Sequence, residues 1–236
     1  MPDEIKLPEF PLAPPSSLFA RLRQAVAADW LAYTQHPFVQ QLGEGTLPEA
    51  AFRHYLVQDY RFLVHFARAW ALALVKADTL EDMRHAADTI SALLHDEMKL
   101  HVRYCARWGL SEAELEDAPE ARANLAYTRY VLERGFSGDV LDLQVALAPC
   151  IVGYAEIGRA LHAQFAETLP QNPYRDWIET YAGEAYQQVA RNAILQLDRL
   201  AARRLTEARF PELVETFRQA TRLEVAFWDM GLTQSF

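Results

Sequence analysis

Cysteine and glycine are scarce in this chain. Two cysteines among 236 residues, Cys105 and Cys150, are too few for a disulfide framework, and a single bridge between them would be unusual in a reducing cytoplasm. Basic clusters are missing too. The formal net charge is -9 and no helical face gathers Lys and Arg, which argues against nucleic acid or an anionic membrane as the main partner. No uninterrupted apolar stretch reaches the roughly 18 residues that suggest a membrane span. The N-terminus, MPDEIKLPEFPLAPPSS, carries acidic residues and five prolines where a signal peptide would need a basic start and an apolar core. These absences predict a cytoplasmic protein whose partner is a small molecule or another protein, with residues 1–15 as an extended arm.

What is present is helical. Only nine glycines occur, and apolar residues recur at spacings of three and four over long stretches, so the class is all-α. With 51% hydrophobic and 23% charged residues the chain can bury a substantial core. No internal linker is visible, so residues 16–236 read as one domain. The spacing predicts helices from Ser16 or Ser17 to Gln35, Pro48 to Lys76, Leu80 to Trp108 with Gly109 as its stop, and Pro119 to Arg134. Further helices run from Asp139 to Glu167 with an interruption at Pro149, up to Tyr181, from Glu184 to Arg204, and from Pro211 to Gly231.

Three apolar stripes are each interrupted by a reactive group. Leu143, Leu147, Cys150, Tyr154, Ile157 and Leu161 alternate steps of four and three, so Cys150 faces inward. Pro149 lacks an N–H and crowds the carbonyl of Val145, which predicts a bend just before the cysteine and exposed amides that favour a thiolate. A buried small hydrophobe is the alternative. On the Pro48 helix, Asp59 sits among Phe52, Leu56, Leu63, Phe66, Trp70 and Ala73. A carboxylate there costs several kcal/mol unless paired, so it is either recruited for function or held in a structural ion pair. On the last helix, Glu224 sits among Leu213, Phe217, Ala220, Phe227 and Gly231, where desolvation would raise its pKa as a general acid or base requires. Two buried carboxylates and a cysteine on three helices predict a pocket between helices. Tyr127, Tyr154 and Tyr181 offer flat faces and hydroxyls suited to a planar heteroaromatic ring, or to ordinary packing. In LLHDEMKLHVRYC, His95, Glu97 and His101 lie close on one helix, but a di-iron set needs a Glu-x-x-His pair on each of two helices and the chain has no such pair.

The stretches HPFVQQLGEGTLPEAAFRHYLVQDYRFL, LAPCIVGYAEIG, YRDWIETYAGEAY and RLEVAFWDMG together resemble the TenA family of thiaminase II, or aminopyrimidine aminohydrolase, in order and spacing over nearly the whole chain beyond the arm. The resemblance implies a haem-oxygenase-like all-α fold, a homotetramer, and hydrolysis of the bond between an aminopyrimidine methylene and its leaving group, in thiamin salvage, with no metal, haem or other cofactor. It places the nucleophile on Cys150, the acid/base glutamate on Glu224 and the pyrimidine-binding aspartate on Asp59, with Phe62, Tyr127, Tyr154, Tyr181 and Phe227 around the ring. Phe62 stands where the family commonly has tyrosine, so one hydroxyl is lost. The competing expectations on this scaffold are a non-catalytic pyrimidine-binding or regulatory protein, a haem-binding relative using His36, and a di-iron or cofactorless oxidase. The last should present a basic, histidine-rich pocket, whereas these stripes are acidic and aromatic.

Overall fold

The computed structural model describes residues 5–236, apart from the side chains of Asp96 and Leu100. In chain order the helices are α1 (Leu18–Ala25), α2 (Ala27–Thr34), α3 (Pro37–Glu44), α4 (Glu49–Lys76), α5 (Leu80–Ala92), α6 (Met98–Ala106), α7 (Glu112–Asp117), α8 (Arg122–Ser137), α9 (Val140–Ala148), α10 (Tyr154–Gln164), α11 (Arg175–Ala182), α12 (Glu184–Arg204) and α13 (Phe210–Thr233). Two π-helical turns, Leu93–Glu97 and Pro149–Gly153, join α5 to α6 and α9 to α10. No strand occurs among the described residues, and the fold is all-α as the periodicity requires.

Several boundaries differ from expectation, each for a local reason. The predicted first helix is two, because Val26 leaves helical geometry at φ -120°, ψ 30°. The His36-Pro37 pair ends one helix and also begins another: His36 Nδ1 accepts the Phe38 N–H at 3.2 Å and Pro37 opens α3, where its missing N–H costs nothing. His36 is thus a cap. The short α7 is announced by Ser111 and Glu114, which bond each other's backbone N–H in a capping box. Pro149 does not break its helix; the backbone stays helical on either side, at Ala148 and Tyr154. The resulting Val140–Gln164 helix is long and apolar enough to cross a membrane by length and composition, yet 94% of its most apolar window is buried within the protein, the pattern of a core helix.

The chain folds into two compact units. The first comprises the residues up to Leu47 and Gln144–Val225, and the second comprises Pro48–Leu143 and Ala226–Phe236. In the first, α10 packs along α11 and against α3, and α1 packs on α12. Its central tie is Glu156 on α10, which accepts Arg23 Nε at 3.0 Å and Trp30 Nε1 at 3.1 Å on one oxygen, and Arg23 Nη2 on the other. Burying that carboxylate unpaired would cost several kcal/mol, so the acid fastens α1 and α2 to α10. The first four residues of the expected arm lie outside the described residues. The rest is held in place: Phe10 is buried, and the carbonyls of Ile5 and Pro8 accept from Gln24 and Arg23. In the second unit α4 packs against α5, α6, α7 and α8. Gln58 of α4 anchors the approach to α8, donating to the Pro119 carbonyl at 2.8 Å and accepting the Ala121 N–H at 2.9 Å.

Candidate active site

In the first unit the LAPCIVGYAEIG stretch is built around its π turn. A proline inside an α-helix cannot donate to the carbonyl four residues back and its ring collides with it; the wider turn relieves the collision while the helix continues. The Pro149 carbonyl takes the hydroxyl of Tyr33 at 3.3 Å. Gly153 makes room for that tyrosine: a Cβ there would lie 2.3 Å from Tyr33 Cε1. Gly158 serves α11 in the same way, since its Cβ would lie 2.6 Å from the Tyr181 backbone. Gln187 bridges the contact, donating to the carbonyls of Ala155 and Tyr181 at 2.9 and 2.7 Å.

Of the predicted stripe, Leu143, Leu147, Tyr154, Ile157 and Leu161 are buried. Cys150 is half-buried instead, the exception on an otherwise buried row. Tyr154 and Tyr181 come together with centroids 5.0 Å apart, and Trp177 and Tyr186 complete the cluster, 4.5 and 4.7 Å from Tyr181. Glu224 is 2% exposed, and the stripe around it on α13 is buried with it.

In the second unit α4 carries Tyr55, Asp59 and Phe62 at helical spacing. Asp59 is paired, one of the two outcomes its position allowed. His101 Nε2 lies 2.7 Å from Asp59 Oδ2, and the Tyr55 hydroxyl donates to the same oxygen at 3.2 Å. His101 Nδ1 lies 3.0 Å from the carbonyl of Glu97, the last residue of the other π turn. Burial opposes a charge on His101, but the hydrogen bond and charge of Asp59, joined by the charge of Glu97, push it up to about 9. Burial also pushes the Glu97 carboxyl up to about 7, with His101 opposing and Asp59 adding. Phe62, Tyr127 and Phe227 come together: Phe62 lies 5.0 Å from Tyr127 and 5.7 Å from Phe227, ring to ring.

The sequence reading weighed His101 and Glu97 only as di-iron ligands and set them aside for want of the ligand pairs; among the described residues no three His, Cys, Asp or Glu side chains are grouped to hold a metal ion. It missed His101 and Tyr55 as partners of Asp59. For Tyr55 the signal was the four-residue step to Asp59, which aligns the two side chains on one helical face; His101 sits on another helix and had no such signal. The two cysteines differ in kind. Cys105 is fully buried, and burial pushes its thiol up to about 11, so it stays protonated at neutral pH.

Residues 23–234 match the TENA/THI-4/PQQC family. The chain belongs to that family. An uncharacterised protein of Haemophilus influenzae is 42% identical over 215 residues, 91% of this chain and 99% of that relative. The aminopyrimidine aminohydrolase of Halalkalibacterium halodurans is 36% identical over 219 residues, 92% of this chain and 96% of that one. Among solved structures, a TenA family transcription regulator from Silicibacter sp. TM1040 has a TM-score of 0.87 at 49% identity, covering 92% of this chain and 96% of that one. A Shewanella denitrificans domain with a heme oxygenase-like fold has a TM-score of 0.71 at 14% identity, with 92% of each chain covered, a likeness of fold alone. The TenA resemblance and the haem-oxygenase-like fold it implied both hold.

Proposed function

We propose that this TenA family chain is an aminopyrimidine aminohydrolase of the thiaminase II type, with residues 16–236 as its catalytic part. The Cys150 thiolate adds to the pyrimidine ring. As the bond to the methylene carbon breaks, Glu224 gives its proton to a departing amine or, with thiamin, whose thiazole leaves neutral without one, to the pyrimidine ring. Water adds at that carbon and returns a proton to Glu224, and loss of the cysteine sulfur restores the aromatic ring. Asp59 holds the amino edge by a charge-assisted hydrogen bond, and Phe62, Tyr127, Tyr154, Tyr181 and Phe227 flank the ring. The observation that carries this reading is Cys150, half-buried on its π turn, in a chain 36% identical to an aminopyrimidine aminohydrolase over 92% of its length. Neither cysteine is in a disulfide, in keeping with work in the cytoplasm; thiamin salvage and a homotetramer follow from the family resemblance.

The test incubates the purified protein with thiamin and with 4-amino-5-aminomethyl-2-methylpyrimidine and follows the hydroxymethyl product. Wild type turns over at least one of them. Cys150→Ser lowers kcat by roughly a thousandfold or more, and Glu224→Gln by about 10²- to 10⁴-fold. Absence of turnover in wild type, or a serine variant as fast as wild type, overturns the proposal. A second reading, a ligand-binding regulator, is favoured by the 49% identical structure described as a transcription regulator. It predicts tight pyrimidine binding that Cys150→Ser leaves unchanged and no product from either compound.

A further inference from the structure

His101 and Glu97 take no part in the steps just written, yet they sit behind Asp59 with an arrangement that fixes where protons lie. A backbone carbonyl only accepts, so His101 Nδ1 must carry a hydrogen and donate it to the Glu97 oxygen at 3.0 Å. Nε2 and Asp59 Oδ2 are 2.7 Å apart, and two lone pairs cannot meet at that distance, so one proton lies between them. The Tyr55 hydroxyl donates to the same oxygen, which favours the imidazolium and carboxylate form. Both bonds fall on Oδ2; among the described residues Oδ1 takes none.

We propose that His101 is a positioning residue for Asp59: it clamps Oδ2 and leaves Oδ1 to accept the amino N–H of an aminopyrimidine. This rests on the function proposed above. The groups acting on the pair are Asp59 and Tyr55 on α4 and Glu97 on the π turn, with Cys105 near enough for the charge of Asp59 to raise its pKa. Of these, Asp59 and Glu97 both raise the pKa of His101 against its burial, so the imidazolium persists through neutral pH.

Two variants separate the clamp from mere packing. A glutamine amide at position 101 reaches about as far as Nε2, whereas an asparagine amide reaches only about as far as Nδ1. His101→Asn is expected to lower kcat/KM for the aminopyrimidine by about 10- to 100-fold, as loss of a charge-assisted hydrogen bond would, and His101→Gln to recover to within about threefold of wild type. Ring 15N shifts of His101 in the full chain at pH 7.5 are expected to be those of an imidazolium, and those of the neutral Nδ1–H tautomer in Asp59→Asn. A neutral His101 in wild type, spectra unchanged by Asp59→Asn, or equal kinetics for the two position-101 variants overturns the proposal. No turnover in wild type overturns the aminopyrimidine reading, and the ring shifts then decide the clamp alone.

Discussion

The two π turns each join two helices and have different origins. Pro149–Gly153 interrupts the α9 to α10 helix at Cys150; Leu93–Glu97 interrupts the α5 to α6 helix just before His101. The first contains its own cause, a proline that cannot fit a regular helix. It is then stabilised by the Tyr33 hydroxyl on the Pro149 carbonyl and by the missing side chain of Gly153. The second contains neither proline nor glycine in LLHDE. It is closed by the Met98 N–H on the Leu93 carbonyl, and the Glu97 carbonyl receives the His101 ring. One irregularity is written in the backbone chemistry of its own residues, and the other ends on a carbonyl held by a histidine that pairs with a buried carboxylate on a different helix.

Pro149→Ala breaks the comparison most sharply. If proline is the cause of the first turn, alanine lets the helix relax toward regular α geometry. Relief of an interior proline contributes up to about 3 kcal/mol, so the thermal midpoint should stay level or rise. Regular geometry also moves the Cys150 sulfur, and a misplacement of about 1 Å costs on the order of 100-fold. The expected outcome is loss of at least that much kcat/KM in a protein no less stable than wild type, measured by product formation and by thermal unfolding followed with circular dichroism. Full activity in a stable variant would show that proline does not set the thiol.

The second turn should answer to pH instead. His101 is raised from 6.5 to about 9 in the folded protein, so its stabilising contribution is complete below pH 6.5 and is lost as pH rises through 9. Glu97 is raised from 4.5 to about 7; the folded state holds that proton longer, and the corresponding loss is complete soon above pH 7. Stability therefore falls with rising pH across both ranges, and above pH 7 the loss belongs to His101, on the order of 1 to 3 kcal/mol. Asp59→Asn removes the largest raising influence on His101 and should flatten the decline between pH 7 and 9. Urea unfolding of the two proteins at several pH values in that interval measures it, and parallel declines would refute the electrostatic account of the second turn.

The same contrast explains what could be read in advance. Stripe periodicity identified α4 and α13 with their carboxylates, because burial of one helical face leaves a pattern in a single strand of text. Pro149 announced an irregularity at Cys150, although as a bend, since nothing in the local residues distinguishes a kink from a π turn. His101 escaped because its partner is 42 residues away, and a pairing between helices leaves no local spacing. Tyr33 against Gly153 escaped for the same reason, with 120 positions between them. The helices α3 and α7 escaped differently: their caps, His36-Pro37 and Ser111 with Glu114, were legible, but each lies where a loop was the simpler reading.

Phe62→Tyr is the smallest change and the finest probe of the second unit's ring cluster. Phe62 is 4% exposed, with Phe66, Tyr127 and Phe227 within 5.0 to 5.7 Å ring to ring, and the TenA resemblance implies a tyrosine there. A hydroxyl added to this cluster must find a partner or cost about 1 to 3 kcal/mol as a buried orphan. If a bound aminopyrimidine supplies the partner, the cost appears in the free protein as a lowered thermal midpoint and is offset on binding. A neutral hydrogen bond contributes about 0.5 to 1.5 kcal/mol, so kcat/KM for the aminopyrimidine should rise by about two- to tenfold. A lowered midpoint with every kinetic constant unchanged would mean that the hydroxyl meets no substrate, and that Phe62 packs the core without touching the pyrimidine.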